Sequence, residues 1–226
     1  MSSTFLELCQ LMRQECGVGG SGPPTVTGQT GMLAKLVSWV ADADIDICTK
    51  YLDWGFLHAE FSRPTVAGTK DVSAPSDFGL WDEDSFFLNY TTSAYQKLSK
   101  LDYFEWRSSY RNGVKSNQKP TEIIIKPNKD LILEPPPDIE YTLTADYYKT
   151  ATKMTANTSV SLIPTKFDRL IIARAKMWYA EHENAPEVMQ GAVVEYKELM
   201  GRLESLYLRG QEPNTMGHSH MVIVPE

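Results

Sequence analysis

The hydrophobic positions change period twice along the chain. From Thr4 to Cys16, the residues Phe5, Leu8, Cys9, Met12 and Cys16 recur at three- and four-residue spacing, which places them on one face of a helix. Thr4 followed three residues later by Glu7 forms a capping box, in which each side chain satisfies a free backbone N–H at the helix start. Gly17–Pro24 ends this helix, because glycine is entropically costly there and Pro23 and Pro24 have no N–H to donate. A longer helix is predicted from about Gln29 to Tyr51, with Leu33, Leu36, Val37, Val40, Ile47 and Tyr51 as its apolar stripe and Thr27 as its N-cap. The short linker makes the two helices antiparallel neighbours.

After Trp54 the runs become short and β-like, and they continue to about Val160. Glu122–Lys126, Asp130–Glu134 and Tyr141–Tyr148 are the clearest strands, and Pro127-Asn-Lys-Asp130 is a hairpin turn between the first two. Leu143, Ala145 and Tyr147 alternate with Thr142, Thr144 and Asp146, the pattern of an antiparallel strand with one face in a core. Ser85–Tyr90 and Ala94–Lys100 are further strand candidates, and Tyr103–Arg111 a short helix.

Helical spacing returns at Pro164. Phe167, Leu170, Ile171, Ala175, Trp178 and Tyr179 share one face; Asn184-Ala-Pro-Glu187 interrupts it, with Asn184 as a cap and Pro186 in a new first turn. Met189, Ala192, Val193, Tyr196, Met200, Leu203 and Tyr207 form the next stripe, with Gly210 as its C-terminal cap. No period is visible after that. Neither helical hairpin can bury both faces alone. The expected fold is therefore α+β: N- and C-terminal helical hairpins (residues 1–55 and 163–210) packed as a four-helix bundle. A β-rich, sandwich- or barrel-like insert (56–162) projects from one end, and an extended tail (211–226) completes the chain.

Composition agrees with an ordinary folded chain. Among 226 residues, 42% are hydrophobic and 23% charged, enough for a core without disulfides or metals. Three cysteines, Cys9, Cys16 and Cys48, with no C-x-x-C pair, suit a reducing cytoplasm. The N-terminus lacks a signal-peptide pattern, and no apolar run reaches the roughly 18–20 residues of a membrane helix, so a soluble protein is expected. The net charge of −7 argues against gripping nucleic-acid phosphates, yet it suits a surface that DNA passes without sticking.

Candidate chemistry is sparse. Gly17–Gly22 matches G-x-G-x-x-G, but a helix precedes it and two prolines come after it, the wrong context for a dinucleotide. Asp42, Asp44 and Asp46 imitate a calcium loop without its glycine or its terminal glutamate; Asp42 and Asp46 are better taken as a solvated acidic face, or one lining an acidic passage. Trp81-Asp-Glu-Asp84 sets carboxylates beside an indole, and Trp106 is a second indole that a carbohydrate-binding insert would use. His218-Ser-His220 has no local partner for a metal. Lys166, Arg169, Arg174 and Lys176 give the third long helix a mixed-charge face suited to inter-subunit salt bridges or solvent. No nucleophile motif or Walker loop is present, so neither catalysis nor a cofactor is expected.

Several phrases resemble the head-to-tail adaptor (head-completion or connector) proteins of tailed bacteriophages. They are Glu15-Cys-Gly-Val-Gly-Gly-Ser-Gly-Pro-Pro-Thr-Val-Thr-Gly-Gln-Thr-Gly31, Trp39-Val40, Asp53-Trp-Gly-Phe-Leu57, Val66-Ala-Gly-Thr69, Pro75-Ser-Asp-Phe-Gly-Leu-Trp81, Pro135-Pro-Pro-Asp138 with Tyr141 and Tyr147-Tyr148, and Ile163-Pro-Thr-Lys-Phe167. The resemblance spans about Thr4 to Leu208. It implies a non-enzymatic virion protein of the neck, made in the host cytoplasm, that forms a ring, usually twelve-fold, below the portal. It further implies portal protein and tail or neck proteins as partners, genomic DNA passing through without specific binding, no cofactor and no membrane. Asp42, Asp46, Lys166, Arg169, Arg174, His218 and His220 are then candidates for the interface or channel. The other readings left open by the residues are a tail-completion or tail-tube protein and a carbohydrate-binding module.

Overall fold

The computed structural model describes residues 3–91, 94–109 and 116–208. Among them the chain is α+β, with five helices and two sheets. It divides into two compact units: one runs through Phe56 and resumes at Ala151, and the other is Leu57–Thr150.

In the helical unit, α1 (Phe5–Glu15) begins at the expected capping box. Thr4 Oγ1 accepts from the Glu7 N–H at 3.3 Å, and the Glu7 carboxylate accepts from the Thr4 N–H at 2.7 Å. Phe5, Leu8, Cys9 and Met12 are buried. The Arg13 guanidinium donates to the carbonyls of Val18 (2.8 Å) and Gly20 (2.6 Å), so the glycine-rich loop is tied to α1 by its own carbonyls. α2 (Gly31–Thr49) starts later than the sequence suggests, with Thr30 rather than Thr27 as its N-cap. Thr27 is engaged elsewhere, its N–H donating to the Thr25 hydroxyl in a local turn.

The stripe predicted for α4 (Asp168–Glu183) is too narrow. Leu170, Ile171, Ile172 and Ala173 are buried in succession, with Ala175 and Ala180. Four consecutive buried positions cover more than one face, and α4 accordingly packs against α1, α2 and α5. Each fully buried Leu or Ile contributes about 1.5–3 kcal/mol, so this helix carries much of the unit's core. Asn184 ends α4 as a left-handed C-cap (φ 53°, ψ 46°), and Pro186 opens α5 (Pro186–Tyr207). Gly210 lies outside the described residues.

Residues 151–162, assigned to the insert on sequence, belong with Ile163 to the helical unit and bond to it. The carbonyls of Ser159 and Asn157 accept from the Phe5 and Leu6 N–H groups (2.7 and 3.3 Å), which have no acceptor inside α1. Thr4 and Val160 form a β-bridge. The Asn157 side-chain oxygen accepts from the Val26 N–H (2.7 Å) and the Thr25 hydroxyl (3.0 Å). This strap therefore joins the start of α1 to the loop before α2.

The second unit holds the nine strands found among the described residues: β1 (His58–Pro64), β2 (Asp71–Val72), β3 (Phe78–Trp81), β4 (Phe87–Thr91), β5 (Ala94–Lys97), β6 (Ser99–Leu101), β7 (Glu122–Ile125), β8 (Leu131–Glu134) and β9 (Thr142–Lys149). One sheet runs β1-β9-β4-β5 with β3 also on β9; the other runs β2-β8-β7-β6, with β6 and β7 parallel. Their inner faces share one core that includes Phe61, Trp81, Leu88, Ile123, Leu133 and Leu143. The continuous Ile123-Ile-Ile125 run has its own explanation. Ile123 faces the shared core, while Ile124 and Ile132 lie on the other face with Trp106 of α3 (Tyr103–Ser109). In the predicted turn, Lys129 adopts φ +74° and Lys126 N–H bonds back to Asp130 O, a three-residue hairpin loop.

Asn157→Ala removes the acceptor of the Val26 N–H. It is expected to lower stability by about 1–2 kcal/mol, read as a lower thermal unfolding midpoint; an unchanged midpoint contradicts the role given to the strap.

Candidate assembly interface

Charged residues of the helical unit are joined in pairs that cross elements far apart in sequence. Arg169 lies 2.6 Å from Glu15 and 2.7 Å from Glu195; Lys176 lies 2.9 Å from Glu15 and 3.7 Å from Glu195. This four-residue network links the end of α1 to α4 and α5. Burial pushes the Glu15 carboxyl up, but the Arg169 and Lys176 donors outweigh it and hold the group below its ordinary value. Arg174 donates to Asp46 at 2.8 Å and lies over the Trp178 ring, 4.6 Å from its centroid. Asp42 accepts from Ser38 at 3.0 Å and pairs with Lys153 of the strap. Lys166 is exposed, its ammonium 5.1 Å from the Tyr207 ring and 5.4 Å from that of Phe167.

The structure thus places Asp42, Asp46, Lys166, Arg169 and Arg174 at the surface of one unit, each with an intramolecular partner. His218 and His220 lie outside the described residues. Asp44 is the residue that sequence reading undervalued. It is buried (2% exposed) and accepts from the Ser161 hydroxyl, which in turn accepts from the Ile163 N–H at 2.9 Å. Its place on the inward side of α2, two residues from both Asp42 and Asp46, was the available signal. Burial raises the Asp44 carboxyl to about 6 against the opposing pull of Ser161. The three aspartates therefore point to three different partners, and among the described residues no cluster of three or more His, Cys, Asp or Glu could hold a metal.

The other candidates are structural. Trp81 is buried in the shared core with its indole N–H on the Lys129 carbonyl (2.9 Å), and buried Trp106 donates to the Glu134 carboxylate (2.8 Å). Neither presents a ring face for a sugar to stack on. Burial pushes the Cys9 and Cys16 thiols up to about 12, far from nucleophilic thiolates.

The phrases that carry the resemblance also have physical reasons. A Cβ at Gly79 would lie 2.9 Å from the Tyr148 carbonyl, where the β3–β9 register shifts. At Gly22, φ is +100° and a Cβ would meet Pro24 at 2.8 Å. Trp54 is fully buried and donates to Ile47 O at 3.1 Å, and Asp77 accepts from the Tyr147 hydroxyl at 2.9 Å. No helix among the described residues is long and apolar enough to cross a membrane.

These motifs sit at turns, close backbone approaches and core positions, the marks of a structural scaffold. The family model for the SU10 adaptor protein matches residues 3–219, and the chain belongs to that family of phage head-to-tail adaptors, as the resemblance implies. No curated protein matches the chain.

Asp44 also generates a pH signature. Between its unfolded value near 3.8 and its folded value of about 6, the folded chain keeps a proton that the unfolded chain has released. Stability therefore falls as pH rises through this window. Asp44→Asn retains the acceptor for Ser161 without the buried charge. It is expected to raise stability at pH 8 by about 1–3 kcal/mol, with the gain shrinking toward zero near pH 4. Thermal unfolding at the two pH values measures this, and a gain independent of pH contradicts it.

Proposed function

We propose that this chain is a structural virion protein, a head-to-tail adaptor. It forms a twelve-fold ring below the portal, extends the DNA channel and docks the tail. The observation that carries this reading is the family match over residues 3–219. The two helical hairpins (1–55 and 163–210) act in this reading as a four-helix bundle that builds the ring wall. The β insert (56–162) meets tail or neck proteins, and the tail (211–226) orders on the portal or on a neighbouring copy.

Electrostatics support the assignment. The net charge of −7 disfavours adhesion of phosphates, so DNA passes without specific binding. Asp42, Asp46 and Arg169 keep 44%, 43% and 51% of their side-chain surface exposed while paired. Exposed pairs of this kind are worth about 0–1 kcal/mol, so neighbours in a ring can exchange partners at little cost. Lys166 and Arg174, with His218 and His220 of the tail, complete the proposed contact set. No catalytic step is assigned to the chain.

Mass measurement of the purified chain, alone and mixed with portal, tests the reading. A portal-dependent complex carrying about twelve copies is expected. A chain whose mass is unaffected by portal overturns it.

A further inference from the structure

β1 is an open edge. It pairs with β9 over all seven residues without a bulge, and among the described residues no strand pairs with its other side. The Thr65 N–H donates to Tyr141 O, toward β9. By alternation Ala59, Phe61 and Arg63 bond toward β9, while His58, Glu60 and Ser62 turn their N–H and C=O groups away from it. The Asp146 carbonyl fits this pattern, accepting from the Asp82 N–H on the opposite side of β9. His58, Glu60 and Ser62 are exposed. Folded proteins ordinarily shorten, bulge, cover or charge such a row, or close it with Pro, because it templates another strand; Pro64 closes this row at one end and leaves His58, Glu60 and Ser62 available.

The edge also carries a charge fault. Glu60 and Asp146 are register partners. Alternation makes them a non-hydrogen-bonded pair, whose side chains lie close, and like charges in that arrangement repel. His58 lies 3.6 Å from Asp146, but among the described residues no cation is paired with Glu60.

The sequence contains a strand-forming segment to match. Met221-Val-Ile-Val224 is a run of apolar residues dominated by strong β-formers, closed by Pro225. It lies just beyond residues 3–219, which the family model matches. In extended backbone, His218, His220, Val222 and Val224 share one face, and Met221 and Ile223 the other. α5 ends at Tyr207. Residues 208–220 can span about 40 Å, well beyond the ~13 Å radius of gyration of a compact unit of some 100 residues. That leader is long enough to leave its own chain.

We infer that Met221–Val224 of one copy adds as a further strand to the free edge of β1 in a second copy. Met221 and Ile223 then lie on the side of Ala59 and Phe61. His220 lies on the side of Glu60 and offers it an imidazole donor. Each copy gives one strand and accepts one, so the contact is heterologous and repeats around a ring. The inference rests on the ring reading only in requiring copies side by side.

Amide hydrogen exchange over residues 57–64, read by mass spectrometry in the portal-bound assembly, tests it. A 15N-labelled chain truncated after residue 216 is mixed with unlabelled full-length chain. Exchange at His58–Ser62 of the labelled chain is expected to slow about tenfold or more relative to an assembly of truncated chain alone, and Met221→Asp with Ile223→Asp in the full-length chain should cancel the slowing. Protection confined to full-length chains means that each tail folds onto its own copy, and overturns the inference. Fast exchange in both chains while the assembly mass still shows a ring overturns the strand pairing and leaves the ring reading standing. Fast exchange with no assembled ring overturns both.

Discussion

The burial of α4 organises the helical unit. Leu170, Ile171, Ile172 and Ala173 cannot all face one neighbour, so α4 requires α1, α2 and α5 around it at once. α1 and α2 come from the first 49 residues, whereas α4 begins at Asp168. The chain must therefore return across the whole β unit before this core can close. The strap at residues 151–163 meets that requirement locally. It satisfies the free N–H groups at the start of α1 and, through Asn157, fixes the loop leading to α2. The surface pairs add less: each exposed pair is worth at most about 1 kcal/mol, against about 1.5–3 kcal/mol for each buried Leu or Ile.

Elements with many buried residues were legible in the sequence. The α1 capping box, the β7–β8 hairpin and the alternation of β9 all read directly from residue order. β1, β2 and β3 did not, because each buries a single residue, namely Phe61, Val72 and Trp81. One buried position sets no period. The sequence of α4 suggests one stripe because a single helical period leaves out Ile172, and Ala173 and Ala180 carry little hydrophobic signal; both faces are buried. Thr27 and Asn184 show a different limit. Both residues are typical caps, but local hydrogen bonding decides which helix end, if any, they serve.

The candidate site was partly legible. The sequence marked Asp42, Asp46, Arg169 and Arg174 as charged helix positions but not as partners, since Arg174 and Asp46 are 128 residues apart and Lys176 and Glu15 are 161 apart. Asp44 looked like its neighbours and differs only through burial. The indoles of Trp81 and Trp106, which residue type alone left open as a carbohydrate platform, fill cores. Such misreadings share a cause: residue type reports what chemistry a side chain can do, while packing decides whether a ligand can reach it. The family phrases were a firmer guide because their glycines and tryptophans answer backbone clearance and core volume, which residue order preserves.

In the proposed reading the two units divide the labour. The helical unit holds its charges in weak, exchangeable pairs over a strong apolar core, a surface able to meet neighbours without unfolding. Among the described residues the β unit leaves one side of β1 without a partner strand. Both suit a chain whose task is assembly. The most direct test of that role is a cryo-electron-microscopy reconstruction of the virion neck. A ring of this chain in direct contact with the portal, around the DNA channel, is the expected result. Finding the chain only in the tail tube, or absent from the particle, would contradict it.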